Sequence, residues 1–121
     1  MGSDSALLAG NNASQNEVDG ISLQQLAIAS LLNNSALYNG QGVFIQSSSR
    51  LTMKGNDFSK NSRSGIRMSS TRDCHITDNS ISGNDISGIS LVDCSGNQIY
   101  HNVLADNSMQ NAADNGQNSW D

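Results

Sequence analysis

Apolar side chains recur along this chain at fixed intervals. Four stretches, GISL from Gly20, GVFI from Gly42, GIRM from Gly65 and GISL from Gly88, read apolar, variable, apolar after the glycine. The first apolar place holds Ile21, Val43, Ile66 and Ile89, and the second holds Leu23, Ile45, Met68 and Leu91. Between them stand Ser22, Phe44, Arg67 and Ser90. This is the period-two signature of a short strand with one buried face. A second column, Leu31, Met53, Ile76 and Ile99, is preceded two residues earlier by Ala29, Leu51, Cys74 and Asn97, which predicts a second strand. A third, Ala36, Phe58, Ile81 and Leu104, lies inside a pair of asparagines.

That pair is written five times: NNASQN from Asn11, NSALYN from Asn34, NDFSKN from Asn56, NSISGN from Asn79 and NVLADN from Asn102, in steps of 23, 22, 23 and 23 residues. The residue missing from the 22-residue copy falls after Asn39, in the turn before Gly42. A period of this size calls for a repeat architecture. Spacing of two rather than 3.6 excludes a helical solenoid, and a leucine-rich repeat would need an LxxLxL core that is absent. The prediction is an all-β, right-handed parallel β-helix with coils of about 23 residues and three short strands per coil, equivalent strands stacking about 4.8 Å apart.

Stacking turns the brackets into two ladders, Asn11, Asn34, Asn56, Asn79 and Asn102, and Asn16, Asn39, Asn61, Asn84 and Asn107. A carboxamide both donates and accepts, so equivalent asparagines can bond coil to coil, and asparagine tolerates the left-handed backbone of a sharp corner. The organisation is a single domain over residues 6–121: a partial coil 6–19, coils 20–41, 42–64, 65–87 and 88–110, and a closing tail 111–121. Residues 1–5 fall outside the repeat and are expected to be disordered.

Composition narrows the partners. The 121 residues include sixteen Asn, twenty-one Ser and no Pro, which suits uninterrupted backbone ladders. A net charge of −5 with only six basic residues argues against nucleic acid and against an anionic membrane. No apolar run approaches the roughly 20 residues of a membrane span, and residues 1–10 lack the regions of a signal peptide. Cys74 and Cys94 fall three residues out of register in adjacent copies, which does not favour a disulfide, so they read as two small buried thiols.

The pattern GIxLxxSxxxxIxxNxΦxxN, seen in GIRMSSTRDCHITDNSISGN and GISLVDCSGNQIYHNVLADN, resembles the carbohydrate-binding and sugar-hydrolase repeat of pectin-lyase-like β-helices, in particular the NosD-like group. The tail NAADNGQNSWD resembles the ending of such repeats. The resemblance implies an extracellular or periplasmic location. It spans polysaccharide lyases, epimerases, tailspikes, an accessory protein of copper-enzyme maturation and non-catalytic surface proteins.

The chemistry such enzymes need is missing. In those relatives the active site lies on the outer face of the first sheet between long loops, whereas here that face is Ser22, Phe44, Arg67 and Ser90 and no insertion interrupts Gly20 to Gln110. The YGΦDPH pattern of epimerases and the GHG pattern of polygalacturonases are absent. Asp73 and Asp93, with Arg50, Arg67 and Arg72, are the nearest approach to convergent charges and read as a solvated corner. His75 and His101 show no metal-ligand spacing. No catalytic residue, metal or cofactor is assigned.

The expected function is a non-catalytic module, structural or weakly polysaccharide-binding, with Phe44, Arg67 and Ser90 on the sheet face and Arg50, Asp73 and Asp93 at the corner as contact residues. The alternatives are a piece of a lyase, epimerase or tailspike hydrolase without its catalytic loops, and a NosD-like accessory protein. Trp120 is expected to cap the last coil. The open edge of the first coil predicts either a longer chain or end-to-end self-association.

Overall fold

The computed structural model describes residues 5–120, which form a parallel β-solenoid. Residues 1–4 of the predicted disordered start, and Asp121, lie outside the described residues. Ser5 already belongs to a strand. One sheet joins β1 (Ser5–Ala9), β3 (Ile28–Leu32), β5 (Leu51–Lys54), β7 (His75–Thr77), β10 (Ser95–Tyr100) and β13 (Gln117–Trp120) in that order. A second joins β2 (Asp19–Gln24), β4 (Gln41–Gln46), β6 (Ser64–Ser69), β9 (Ser87–Val92) and β12 (Gln110–Asp114). The register follows the sequence columns, with Ile21 beside Val43, Val43 beside Ile66 and Ile66 beside Ile89.

The third strand of each coil is only partly developed. It forms a ladder between β8 (Ser80–Ser82) and β11 (Val103–Ala105), while the earlier coils meet through single bridges at Asn12–Ser35, Ser35–Asp57 and Asp57–Ser80. Length caps the strand at three residues in every coil. Only four residues separate the bracketing asparagines, and the last of them takes a left-handed φ at Gln15, Tyr38, Lys60, Gly83 and Asp106, leaving about one turn of extended chain.

All three columns point inward. Val43, Ile45, Leu51, Met53, Phe58, Ile66, Met68, Ile76, Ile81 and Ile89 are fully buried in one continuous core. Phe58 is the one aromatic ring inside it among the described residues.

The asparagine ladders supply the polar counterpart. In the first, the backbone amide and the carboxamide of each asparagine both donate to Oδ1 of the asparagine one coil on, at 2.8–3.0 Å from Asn11 through Asn102. The remaining carboxamide hydrogen goes to a backbone carbonyl: Asn34 to Leu8, Asn56 to Leu31, Asn79 to Met53 and Asn102 to Ile76. The second ladder runs from Asn16 to Asn107 with the same amide bonds at every rung and the carboxamide bond at Asn16, Asn61 and Asn84, while the Asn39 carboxamide donates to the Ala13 carbonyl. Asparagine is suited to the position because one acceptor oxygen and two donor hydrogens are all used inside, where an aspartate would bury a charge without donors.

A shorter third ladder lies in the column of Leu51 and Cys74. The Leu51 amide donates to Sγ of Cys74, the Cys74 amide to Oδ1 of Asn97, and Asn97 to Oδ1 of Asn118. Next to it, Ser48 and Thr71 accept from the amides of Leu26 and Ser48. Both cysteines are free, buried thiols in these columns.

The closing tail covers the last coil. Trp120 continues the inward column in register with Ile99, and its indole Nε1 donates to Asp114 at 2.8 Å. At the other end β1 and β2 are terminal strands of their sheets.

Candidate functional site

Strand alternation that buries Val43 and Ile45 must turn Phe44 outward, and the same holds in every coil. Ser22, Phe44, Arg67, Ser90 and Ala113 therefore stand side by side on the outer face of the second sheet. Along one edge runs a second column, Asp19, Gln41, Ser64, Ser87 and Gln110. Beyond it the turns raise a low ridge of exposed side chains, Val18, Arg63, Ile86 and Met109, tied turn to turn by backbone bonds such as Ile86 to Arg63 and Met109 to Ile86.

The ridge is interrupted once. The turn after Asn39 has two residues where the other coils have three, and Gly40 occupies it with its Cα against the Val18 carbonyl, where an added Cβ would come within 2.5 Å. Gln41 is drawn in at this gap and is only 8% exposed. Its Nε2 donates to Asp19 at 3.1 Å, which fixes the orientation of the amide, and its Oε1 is buried without a hydrogen-bond partner.

Between ridge and sheet face lies a shallow depression of about 490 Å³. Phe44, Arg67 and Ser90 form its floor, and Gln41, Arg63, Ser64, Ile86, Ser87 and Gln110 its side. Among the described residues no carboxylate lines it, while two guanidinium groups do. The structure thus brings together three of the residues expected from sequence and sets the other three apart. Arg50, Asp73 and Asp93 are exposed at the corner leading from the second sheet to the first, each with a left-handed backbone, and do not line the depression. Arg67 stands on the sheet face away from that corner.

Gln41, Arg63, Ser64, Ile86, Ser87 and Gln110 were not expected from the sequence pattern. Two signals point to them: the 22-residue copy, and the placement of all six basic residues between Arg50 and Arg72. That segment holds one acidic residue, Asp57, so a positive band crosses the middle of an otherwise acidic chain.

A family model described as periplasmic copper-binding protein (NosD) matches residues 1–121. The chain belongs to the NosD family. Searches of curated proteins and of solved structures found no match. The description of the NosD family agrees, at that coarse level, with a location outside the cytoplasm.

The NosD description raises the question of copper, and the described residues do not fit a closed metal centre. Among them no three His, Cys, Asp or Glu side chains converge. The two thiols are engaged, Cys74 with the Arg72 carbonyl and Cys94 with the Val92 carbonyl, each at 3.3 Å. Burial pushes Cys74 up to about 11, the Leu51 amide only partly opposing it, and raises Cys94 as well, so neither is poised as a thiolate ligand. Met53 and Met68 are buried in the core. His75 is exposed on β7, and His101 packs edge-to-face on Tyr100 at 5.1 Å.

Proposed function

We propose that this NosD-family chain is a non-catalytic β-solenoid module, working outside the cytoplasm, whose second sheet holds an extended polysaccharide along its outer face. One observation carries the reading: the depression where Phe44, Arg67 and Ser90 meet Gln41, Ser64 and Ser87 combines an aromatic face with hydroxyl and amide groups and lacks an acidic pair. A sugar ring uses such a surface through its C–H face and its hydroxyls. Hydrolysis or elimination would need convergent acid and base groups, which the lining does not supply. The shallow, open shape suits a polymer passing across several coils. A glycan array probed with the intact chain tests this reading; the expected result is binding of a limited glycan class, reduced in Phe44→Ala, and silence across the array would remove it.

The family match favours a second reading, an accessory role in copper-enzyme maturation. Copper titration of the chain, followed by calorimetry, separates the two: saturable binding at micromolar metal supports the accessory role, and its absence leaves the polysaccharide module. Among the described residues β1 and β2 carry no strand on their outer side, which further supports end-to-end association of copies, and sedimentation at increasing concentration would register it.

A further inference from the structure

We propose that Asn115 and Gly116, in the turn between β12 and β13, form a self-modifying site. Asn115 cyclises onto the Gly116 nitrogen, loses ammonia and is opened by water to aspartate and isoaspartate, which releases the closing tail from the last coil.

The chain writes Asn-Gly twice, at Asn39–Gly40 and at Asn115–Gly116. In this dipeptide the glycine nitrogen can attack the side-chain carbon of the asparagine and close a succinimide ring, because glycine has no side chain to obstruct the approach. The first copy is locked. Asn39 is 2% exposed, its Oδ1 accepts from both the amide and the carboxamide of Asn16, and its own carboxamide donates to the Ala13 carbonyl at 2.9 Å. Turning that carboxamide toward Gly40 would strand its partners. In the second copy both residues are exposed.

The contacts around the second copy favour the reaction. The Asp93 amide donates to Oδ1 of Asn115 at 2.9 Å, and this is the oxygen on which negative charge develops when the carboxamide carbon is attacked. The Gly116 N–H, the nucleophile, donates to Oδ1 of Asp114 at 2.8 Å, so a carboxylate already holds the proton that the nitrogen must give up. Asn118 and Trp120 also donate to that carboxylate and fix it in place. A Cβ on Gly116 would run into the Cys94 carbonyl, so the fold demands here the one residue that leaves the nitrogen open.

In the ring closure the bond from Gly116 N to Asn115 Cγ forms and the bond from Cγ to Nδ2 breaks. The Gly116 amide proton passes by way of Asp114 to the departing nitrogen, which leaves as ammonia. Water then adds to one ring carbonyl or the other, giving aspartate or isoaspartate. Isoaspartate routes the main chain through the side-chain carbons and lengthens it just ahead of Asn118 and Trp120, which stand in register with Asn97 and Ile99. Both rungs are lost, and the tail comes away.

The test is incubation of the full chain in neutral buffer, folded and in urea. Peptide mass spectrometry reads replacement of the side-chain NH2 by OH, and enzymatic methylation reads isoaspartate. In the folded chain Asn115 is expected to convert at least about tenfold faster than Asn39, and faster than it does in urea, where the two asparagines convert alike. Asp114→Asn should slow folded Asn115 about tenfold and leave its rate in urea unchanged, while Asp114→Glu should restore part of the loss. Trp120 fluorescence should shift as isoaspartate accumulates and stay constant in Asn115→Gln, whose longer side chain does not close the ring readily. Folded Asn115 as inert as Asn39 would overturn the proposal. A rate equal in folded and unfolded chain and indifferent to Asp114→Asn would overturn the part given to Asp93 and Asp114, and conversion without a change at Trp120 would overturn release of the tail.

Discussion

The carboxamide of Asn107 donates to Oδ1 of Asn111 at 2.9 Å, across four residues of chain, where each earlier rung of its ladder spans a whole coil. The Asn107 backbone amide reaches the same oxygen at 3.4 Å. Asn111 therefore supplies the acceptor that a following coil would have provided, and the ladder ends without a buried orphan donor.

Rungs inside the ladder should matter more than the one that ends it. Asn84 accepts from both the amide and the carboxamide of Asn61, and donates to Phe58 and Asn107. Asn84→Ala strands two buried donors and is expected to cost about 2–6 kcal/mol, each orphan accounting for about 1–3. Asn111→Ala opens its orphans to water at an exposed end and should cost less than about half as much. Urea unfolding followed by circular dichroism compares them.

Glycine at the head of each GΦxΦ stretch is demanded by space. A Cβ on Gly65 would meet the Phe58 carbonyl at 2.5 Å and Ile81 Cγ2 at 2.6 Å. Gly65→Ala is expected to lose about 3 kcal/mol or more, since the first obstacle is backbone. Gly10 has open space around it and a φ of 66°, so Gly10→Ala carries only the strain of a left-handed alanine, about 1 kcal/mol. Equal losses in thermal unfolding would contradict this account.

Phe58 is the largest side chain sealed inside the solenoid. Phe58→Ala is expected to cost about 3–5 kcal/mol, because stacked coils on both sides prevent the cavity from collapsing. Phe58→Leu, nearer in volume, should cost roughly 1–2.

The closing tail should come undone in acid. Slight burial opposes ionisation of Asp114, but hydrogen bonds from Trp120, Gly116 and Asn118 together outweigh it and hold the carboxyl below its ordinary value of 3.8. A carboxyl depressed in the folded state contributes stability above 3.8 that is lost as pH falls through the lower folded value. Fluorescence of Trp120, the one tryptophan, is expected to change in that window, and Asp114→Asn should remove the transition.

Cys74 should be silent toward thiol reagents in the folded chain. Burial raises it from 9.0 to about 11, so the neutral thiol is the stable form, and the stability it lends is full below 9.0 and is lost as pH rises through 11. A disulfide-exchange reagent at pH 8 should label Cys74 only after denaturant is added, and rapid native labelling would contradict the buried geometry.

The repeat itself was legible residue by residue. Ile81 and Phe58 declared themselves as core through their column, and Asn79 and Asn84 as ladder through their spacing, because in a solenoid each coil repeats one local solution and contacts only its neighbours. The extent of the third strand was less legible: four residues between two corners cap it at three extended residues in every coil, and only β8 and β11 reach a ladder of that length.

The candidate site divides the same way. Phe44, Arg67 and Ser90 were legible as one outward column because strand period alone sets which face a side chain takes. Arg63, Ile86 and Gln41 were not, since their meeting with that column depends on how far each turn projects and on the residue missing after Asn39. Arg50, Asp73 and Asp93 were expected with Arg67 near one corner of adjacent coils; the first three stand at that corner, and strand period sets Arg67 on the sheet face instead. Periodicity in the chain is thus sufficient to set fold, register and core, because these rest on identical nearest-neighbour contacts repeated coil after coil. The depression and the unpaired oxygen of Gln41 were decided only in three dimensions, because they arise where the repeat is broken and neighbouring coils no longer match.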